Sequence, residues 1–290
     1  MSIGLDTQCI QCYLRRNIDA ARKLGDEETA TRFAQELMEK MSKIPKHQTT
    51  VSIAPKVAEM FQRYYGLGPD RYEQEKQQSN QFVLERMDWF RKMTEGAQDP
   101  VLAGLQMAIL GNYLDFGALQ GKVSFEKLEE MCQDALKIEL DSEVLTKLKA
   151  DLAGAKRLLY ITDNAGEIGL DRICAEILAR TYPDLQITFC VRGAPALNDA
   201  TREDATIVGI PFPVIDNGNA IPGTDLEKIS PEAKLALENA DVVISKGMAN
   251  VETLHGSGYN IYYAFLIKCQ RFVNLFNKEL FTPMLLPERK

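Results

Sequence analysis

The hydrophobic pattern of this 290-residue chain changes period once, near residue 152, and that change limits what it can fold into more than any single motif. From residue 8 to about 152 apolar side chains recur every three or four positions, as in Leu14, Ile18 and Ala21 or Leu102, Leu105, Ile109 and Leu110. That spacing gives each of a series of helices one apolar stripe. Breaks at Pro45, at 66–69 and at 96–100 divide the stretch into six or seven helices, with Asp99, Ser124 and Asp141 as caps. After residue 155 the apolar residues gather into the runs RLLYIT, QITFCV, ATIVGIPFPVID, DVVIS and NIYYAFLIK. Segments 170–181, 200–204 and 230–239 between them are helical or long enough to cross over. Runs apolar on both faces suit parallel strands covered by helices on either side. The expected fold is therefore α/β: a Rossmann-like three-layer domain with a mostly parallel sheet over 153–290, preceded by an all-helical domain over 1–152.

In an open parallel sheet, ligands bind beyond the carboxyl ends of the strands. The first run ends in Thr162-Asp163-Asn164-Ala165-Gly166-Glu167 and the second in Arg192-Gly193-Ala194-Pro195-Ala196-Leu197-Asn198-Asp199. The third ends in Asp216-Asn217-Gly218 and the fourth in Ser245-Lys246-Gly247-Met248-Ala249-Asn250. Asp163, the Asn164 carbonyl and Asp199 are hard oxygen donors. They supply part of an octahedral shell for a divalent ion such as Mg²⁺ or Mn²⁺, with water and phosphate oxygens completing it. Gly166 allows a sharp turn into a helix whose N-terminal amides favour phosphate. Lys246 adds a compact positive charge. Each loop alone is also ordinary turn and cap chemistry, but capping does not explain why successive strand ends share one polarity.

Charge and composition exclude other classes. Lys and Arg number 20 against 23 Asp and Glu in residues 1–150, and 14 against 18 in the remainder, so neither half offers a basic platform for nucleic acid. No apolar stretch approaches the ~20 residues of a spanning helix, and the first residues lack a secretory core, so a cytoplasmic protein with no membrane partner is expected. With His47 and His255 as the only histidines, a His-rich zinc site is excluded. A dinucleotide fingerprint is missing too, because the turn after the first strand reads Asp-Asn-Ala-Gly-Glu-Ile-Gly.

The segments TDNAGEIGLD, VRGAPALNDAT and ISKGMANVETL, with the early CIQCYLRR, resemble the DUF89 family of metal-dependent damage-control phosphatases. DRYEQEKQQSN and AILGNYLDFGA in the helical half carry the same likeness, which covers nearly the whole chain. The resemblance implies a phosphoric monoester hydrolase acting on small phosphorylated metabolites, either sugar phosphates or phosphorylated cofactor precursors and their damaged forms. It implies a divalent metal ion (Mn, Mg, Co or Ni) on Asp163, Asn164 and Asp199. It further implies substrate contacts by Lys246 and Asn250 in the KGxxN segment and by Asn198, and a helical contribution from Asn112 and Asp115, one helical turn apart. Asp163, Lys246 and Glu167 are the residues expected to act in catalysis, Glu167 as an outer-shell group or proton carrier. Asp163 acts either purely as a ligand, with metal-activated water as the preferred nucleophile, or by attacking phosphorus to form an aspartyl-phosphate. The chain departs from the family pattern at Arg71, where proline is common, at Met248, and in the tail after Cys269.

Two rival readings remain at this level: a nucleotide-cofactor enzyme such as a carboxyl methyltransferase, and a non-catalytic binding module. Cys9 and Cys12, three apart on a helix, are either two buried thiols or a redox or metal pair completed by Cys132 or a partner chain. Tyr13, Tyr72 and Trp89 read as core or cleft walls, and His255 as structural.

Overall fold

The computed structural model of the chain describes residues 3–115 and 123–288. Residues 116–118, at the end of the AILGNYLDFGA stretch, lie outside the described residues. Among the described residues eight α-helices precede the first strand: α1 (Thr7–Leu24), α2 (Glu27–Ser42), α3 (Ala54–Tyr65), α4 (Glu73–Glu85), α5 (Met87–Glu95), α6 (Pro100–Gly111), α7 (Phe125–Gln133) and α8 (Ser142–Gly154). Asp99, Ser124 and Asp141 cap α6, α7 and α8, each accepting a backbone N–H of the first turn. Pro100 opens α6 at the position where its missing N–H is not needed.

These helices do two different things. α1, α2 and α3 close on a separate apolar cluster around Phe33, Leu37, Met60 and Phe61. α6 is apolar all round, and every residue from Ala103 to Gly111 is buried. It therefore cannot be a surface helix, and it packs on α9 (Glu167–Thr181). Val83, Leu110, Leu128 and Leu152 share one continuous core with the sheet residues Leu158, Tyr160 and Tyr262.

The six strands are β1 (Arg157–Ile161), β2 (Gln186–Val191), β3 (Val214–Asp216), β4 (Val242–Lys246), β5 (Ile261–Leu266) and β6 (Pro283–Pro287). They lie in the order β3-β2-β1-β4-β5-β6, all parallel except β6, which runs antiparallel to β5. α9 covers one face of the sheet. α11 (Pro231–Asn239), α12 (Met248–Leu254) and α13 (Gln270–Phe276) cover the other, through Leu237, Val251 and Phe272. The fold is thus α/β with a mostly parallel, doubly wound sheet.

Two elements differ from the sequence reading. The apolar run ATIVGI begins in a helix, α10 (Arg202–Ile207), because Thr201 and Asp204 form a capping box that starts it and Ala205 and Val208 bury at helical spacing; the strand starts only at Val214. β6 was not anticipated. Its PMLLP sequence carries a proline at each end, a pattern that suits only an edge strand.

Candidate active site

The strand order reverses between β1 and β4, and a doubly wound sheet opens its ligand crevice at such a point, beyond the carboxyl ends of the strands. Past β1 come Asp163 and Asn164, and the loop after β2 folds back against them. Asn164 bridges Asp199, the Ala200 N–H donates to the Asp163 carbonyl at 2.7 Å, and the Ala165 N–H donates to the Asn198 carbonyl at 2.9 Å. These backbone bonds bring Asp163, Asn164 and Asp199 into one crevice.

The side chains are locked from behind. Asp163 Oδ2 accepts from Asn112 Nδ2 and Asn164 Nδ2, both at 2.9 Å. Asn164 Nδ2 also donates to Glu167 Oε2 at 2.7 Å, while its Oδ1 accepts from Asn198 Nδ2 at 3.0 Å. Asp199 Oδ2 accepts from Arg192 Nε at 2.6 Å, and Arg192 Nη2 lies 3.9 Å from Asp163 Oδ1. Gly166, at φ +77, brings its N–H to Asn80 Oδ1 at 2.7 Å; a Cβ there would lie 2.7 Å from that of Ser79. Gly247, at φ +82, lies against the Asp163 carboxylate so closely that a Cβ would sit 2.1 Å from Oδ2.

Charge in this pocket does not balance. Asp163, Glu167, Asp171 and Asp199 are all buried, Lys246 and Arg192 are bonded among them, and Lys268 acts on Asp163 from its pair with Asp115. Burial, then Asp199 and Glu167, hold the Asp163 carboxyl far above the ordinary carboxylate range. Burial also pushes Asp199 up to about 6 and Asp171 up to about 7, against the opposing pull of Arg192 and Lys246. The carboxyls thus outnumber the cations bonded to them, and protons held on the raised groups offset part of the excess. A divalent ion would take the place of those protons.

Among the described residues no three His, Cys, Asp or Glu side chains converge as a ready metal cage. The donor set here is two carboxylates and a carboxamide, which suits a hard ion that keeps water and takes substrate oxygens. Asp163 and Asp199 also retain some exposure, 6 % of each side chain, whereas Glu167 and Lys246 have none. Of these four buried carboxylates, the two an incoming ion could reach are therefore the two expected ligands.

Lys246 and Asn250 differ from their expected role as substrate contacts. The Lys246 ammonium spends its three protons on Glu167 Oε1 at 2.6 Å, Asp171 Oδ1 at 2.7 Å and the Ala108 carbonyl at 2.8 Å, fully buried. Asn250 Nδ2 donates to the Thr162 and Lys246 carbonyls, and its Oδ1 accepts from Thr224, so it ties the ends of β1 and β4 together. Asn198 also donates to the Leu114 carbonyl. Asn112 caps α6 and Asp115 lies in the turn beyond it, so the two do not share a helical turn.

The sequence reading gave no role to three residues at this site. Lys268 donates to Asp115 Oδ2 at 2.6 Å and to the Asn112 carbonyl at 2.8 Å. Arg192 is 1 % exposed, and its Nη1 has no hydrogen-bond partner among the described residues. Asp171 shares Lys246 with Glu167. Arg192 and Lys268 both follow strands, β2 and β5, so the strand-end rule reached them; Asp171 stands one helical turn after Glu167. Of the other candidates, Cys132 is buried in the main core and completes nothing with Cys9 and Cys12, and all six cysteines are free thiols. His255 lies 3.4 Å from Glu288.

A family model described as the damage-control phosphatase ARMT1-like domain matches residues 5–282. An uncharacterised protein of Methanocaldococcus jannaschii is 33% identical over 93% of this chain and 90% of its own length. A protein of Archaeoglobus fulgidus named damage-control phosphatase is 30% identical over 90% of this chain and 91% of its own. The crystal structure of a DUF89 family protein from Pyrococcus horikoshii superposes with a TM-score of 0.80 and 25% identity, covering 99% of both chains. With a family match over residues 5–282 and a relative 33% identical over most of both lengths, the chain belongs to the damage-control phosphatase ARMT1-like family.

Proposed function

We propose that this chain is a metal-dependent phosphatase that releases phosphate from monoesters of small metabolites in the cytoplasm. The observation that carries the reading is the crowding of buried carboxyls at the switch point, where four of them gather around Lys246 and Arg192. Asp163, Asn164 and Asp199 would hold the ion, with Mn²⁺, Mg²⁺, Co²⁺ or Ni²⁺ as candidates. A divalent ion at such a site draws charge from a phosphoryl group and acidifies water.

The chain's own residues then do the rest. Glu167 and Asp163 accept the Asn164 amide protons, and its oxygen, which accepts from Asn198 Nδ2, keeps a second lone pair that would serve an ion. Lys246 bonds both Glu167 and Asp171 and fixes their positions behind the ligands. Arg192 holds Asp199 through Nε and has Nη1 to offer a phosphoryl oxygen, a charge-assisted contact of the kind guanidinium favours. Asp163 serves as a ligand and water as the nucleophile, since the Asp-x-Asp-x-Thr or Val motif of aspartyl-phosphate enzymes is missing from the chain. The relatives named damage-control phosphatases support this reading.

The test is phosphate release from sugar phosphates, phosphopantetheine and p-nitrophenyl phosphate, with each metal and in chelator, for the native chain and Asp163→Ala. Metal-dependent release lost in the variant is expected. Silence with every ester and every metal overturns the reading.

A further inference from the structure

Behind the loop that delivers Asp199 lies a second cavity, where α1, α3 and the turn before α4 meet residues 195–197. Tyr13, Arg16, Arg71, Tyr72 and Leu197 are among its walls. No acidic side chain among the described residues lines it. Two guanidinium groups thus face one small space in a chain of net charge −7.

Arg71 is held by aromatic faces rather than by a carboxylate, 3.7 Å over the centroid of Phe61 and 5.7 Å from that of Tyr72. Arg16 lies over Tyr13, 5.1 Å from its centroid. Burial, with a contribution from Arg16, draws the Arg71 guanidinium below its ordinary value. The turn carrying Arg71 is fixed. Asp70 accepts the Tyr72 N–H at 3.0 Å and pairs with Lys76 at 3.1 Å, and Lys76 reaches Asp204 of α10 at 3.0 Å. The position of Arg71 is thus preformed.

The space is about 30 Å³. A water needs roughly 10–15 Å³ on this measure, so the cavity takes a carboxylate or phosphate head and not a sugar ring. Leu197 in its wall is two residues from Asp199, which puts the cavity wall within about 8 Å of that ligand along the chain.

On the phosphatase reading above, we infer that this cavity is a second anion subsite, in which Arg71 and Arg16 receive a carboxylate or second phosphate at the far end of the substrate. The substrate class is then a short phosphate ester with anionic groups at both ends. The phosphate to be removed lies at Asp163 and Asp199, and the other end is read by the helical layer.

The experiment compares kcat/KM for 3-phosphoglycerate, fructose 1,6-bisphosphate and p-nitrophenyl phosphate, with saturating Mn²⁺, in the native chain, Arg71→Met and Arg71→Lys. Methionine keeps an apolar stem over Phe61 and removes the charge. Native preference for a doubly anionic ester is expected, with a loss of ~10- to 100-fold in Arg71→Met, mainly in KM, as for one charge-assisted hydrogen bond. Lysine should recover part of it, while p-nitrophenyl phosphate stays within about twofold. Loss confined to the glycerate assigns a carboxylate, and loss confined to the bisphosphate assigns a phosphate; either supports the subsite. Equal loss on all three esters, no loss on any, or native preference for p-nitrophenyl phosphate overturns it while leaving the phosphatase reading intact. No hydrolysis of any ester overturns both.

Discussion

At the residue scale the pocket is governed by the cost of crowding carboxylates away from water. Lys246 is what makes Glu167 and Asp171 tolerable, since it bonds both and is itself inaccessible. Lys246→Met should therefore cost ~3–5 kcal/mol, the usual penalty for leaving a buried charge without its partner. Adding Asp171→Asn should recover part of the loss in urea titrations, and a single-variant cost no larger than a surface substitution would contradict this account. The sequence made Asp163, Asn164 and Asp199 visible because strand-end position and residue type are both local. It could not show that Lys246 points inward, because that depends on Ala108 and Asp171, 138 and 75 residues away. Arg192 and Lys268 were legible by position but carried no motif of their own.

At the scale of single elements, turns and caps decide geometry. The β4–α12 turn needs a residue at φ +82 with nothing on its Cα, because the Asp163 carboxylate occupies that space. Gly247→Ala should displace Asp163, lowering kcat by ~100-fold or more and costing ~1–3 kcal/mol in denaturant stability. On the next turn, burial pushes the Glu252 carboxyl from about 4.5 up to about 7, with Arg271 only partly opposing it. The native state then binds more protons than the unfolded chain between those two values. Stability contributed by this group is fully present below about pH 4.5 and is lost as pH rises through about 7. Glu252→Gln should accordingly match the native chain in melting temperature at pH 4.5 and exceed it at pH 8; equal melting at both would contradict the shift. The ATIVGI stretch shows where local reading fails. Its β-branched residues favour a strand, but the capping box from Thr201 to Asp204 and burial at helical spacing put its first half in α10.

For the molecule as a whole, secondary structure and packing divide the chain differently. The hydrophobic period marks the change from helix to strand, yet the core runs across it: Leu110 and Leu152 pack in the same cluster as Leu158 and Tyr262, and only α1, α2 and α3 form a cluster of their own. Period reports which face of an element is apolar, not what covers it. A fragment of residues 153–290 keeps α9 on the sheet but strips α6, α4 and α5 from the outer side of α9 and exposes its apolar residues. It should therefore show no cooperative thermal transition by circular dichroism, whereas a sharp transition would mean that this half folds alone. The margins of the sheet carry a different message. On one side β6 begins and ends in proline; on the other, β3 is three residues long and its Val214 carbonyl is taken by Arg202 Nη1 at 2.6 Å. Neither border offers a neighbouring chain a free row of amides and carbonyls to pair with. At high concentration, recruitment of further molecules into a growing ribbon is therefore blocked at both sides of the fold, and aggregation would have to begin from an opened state.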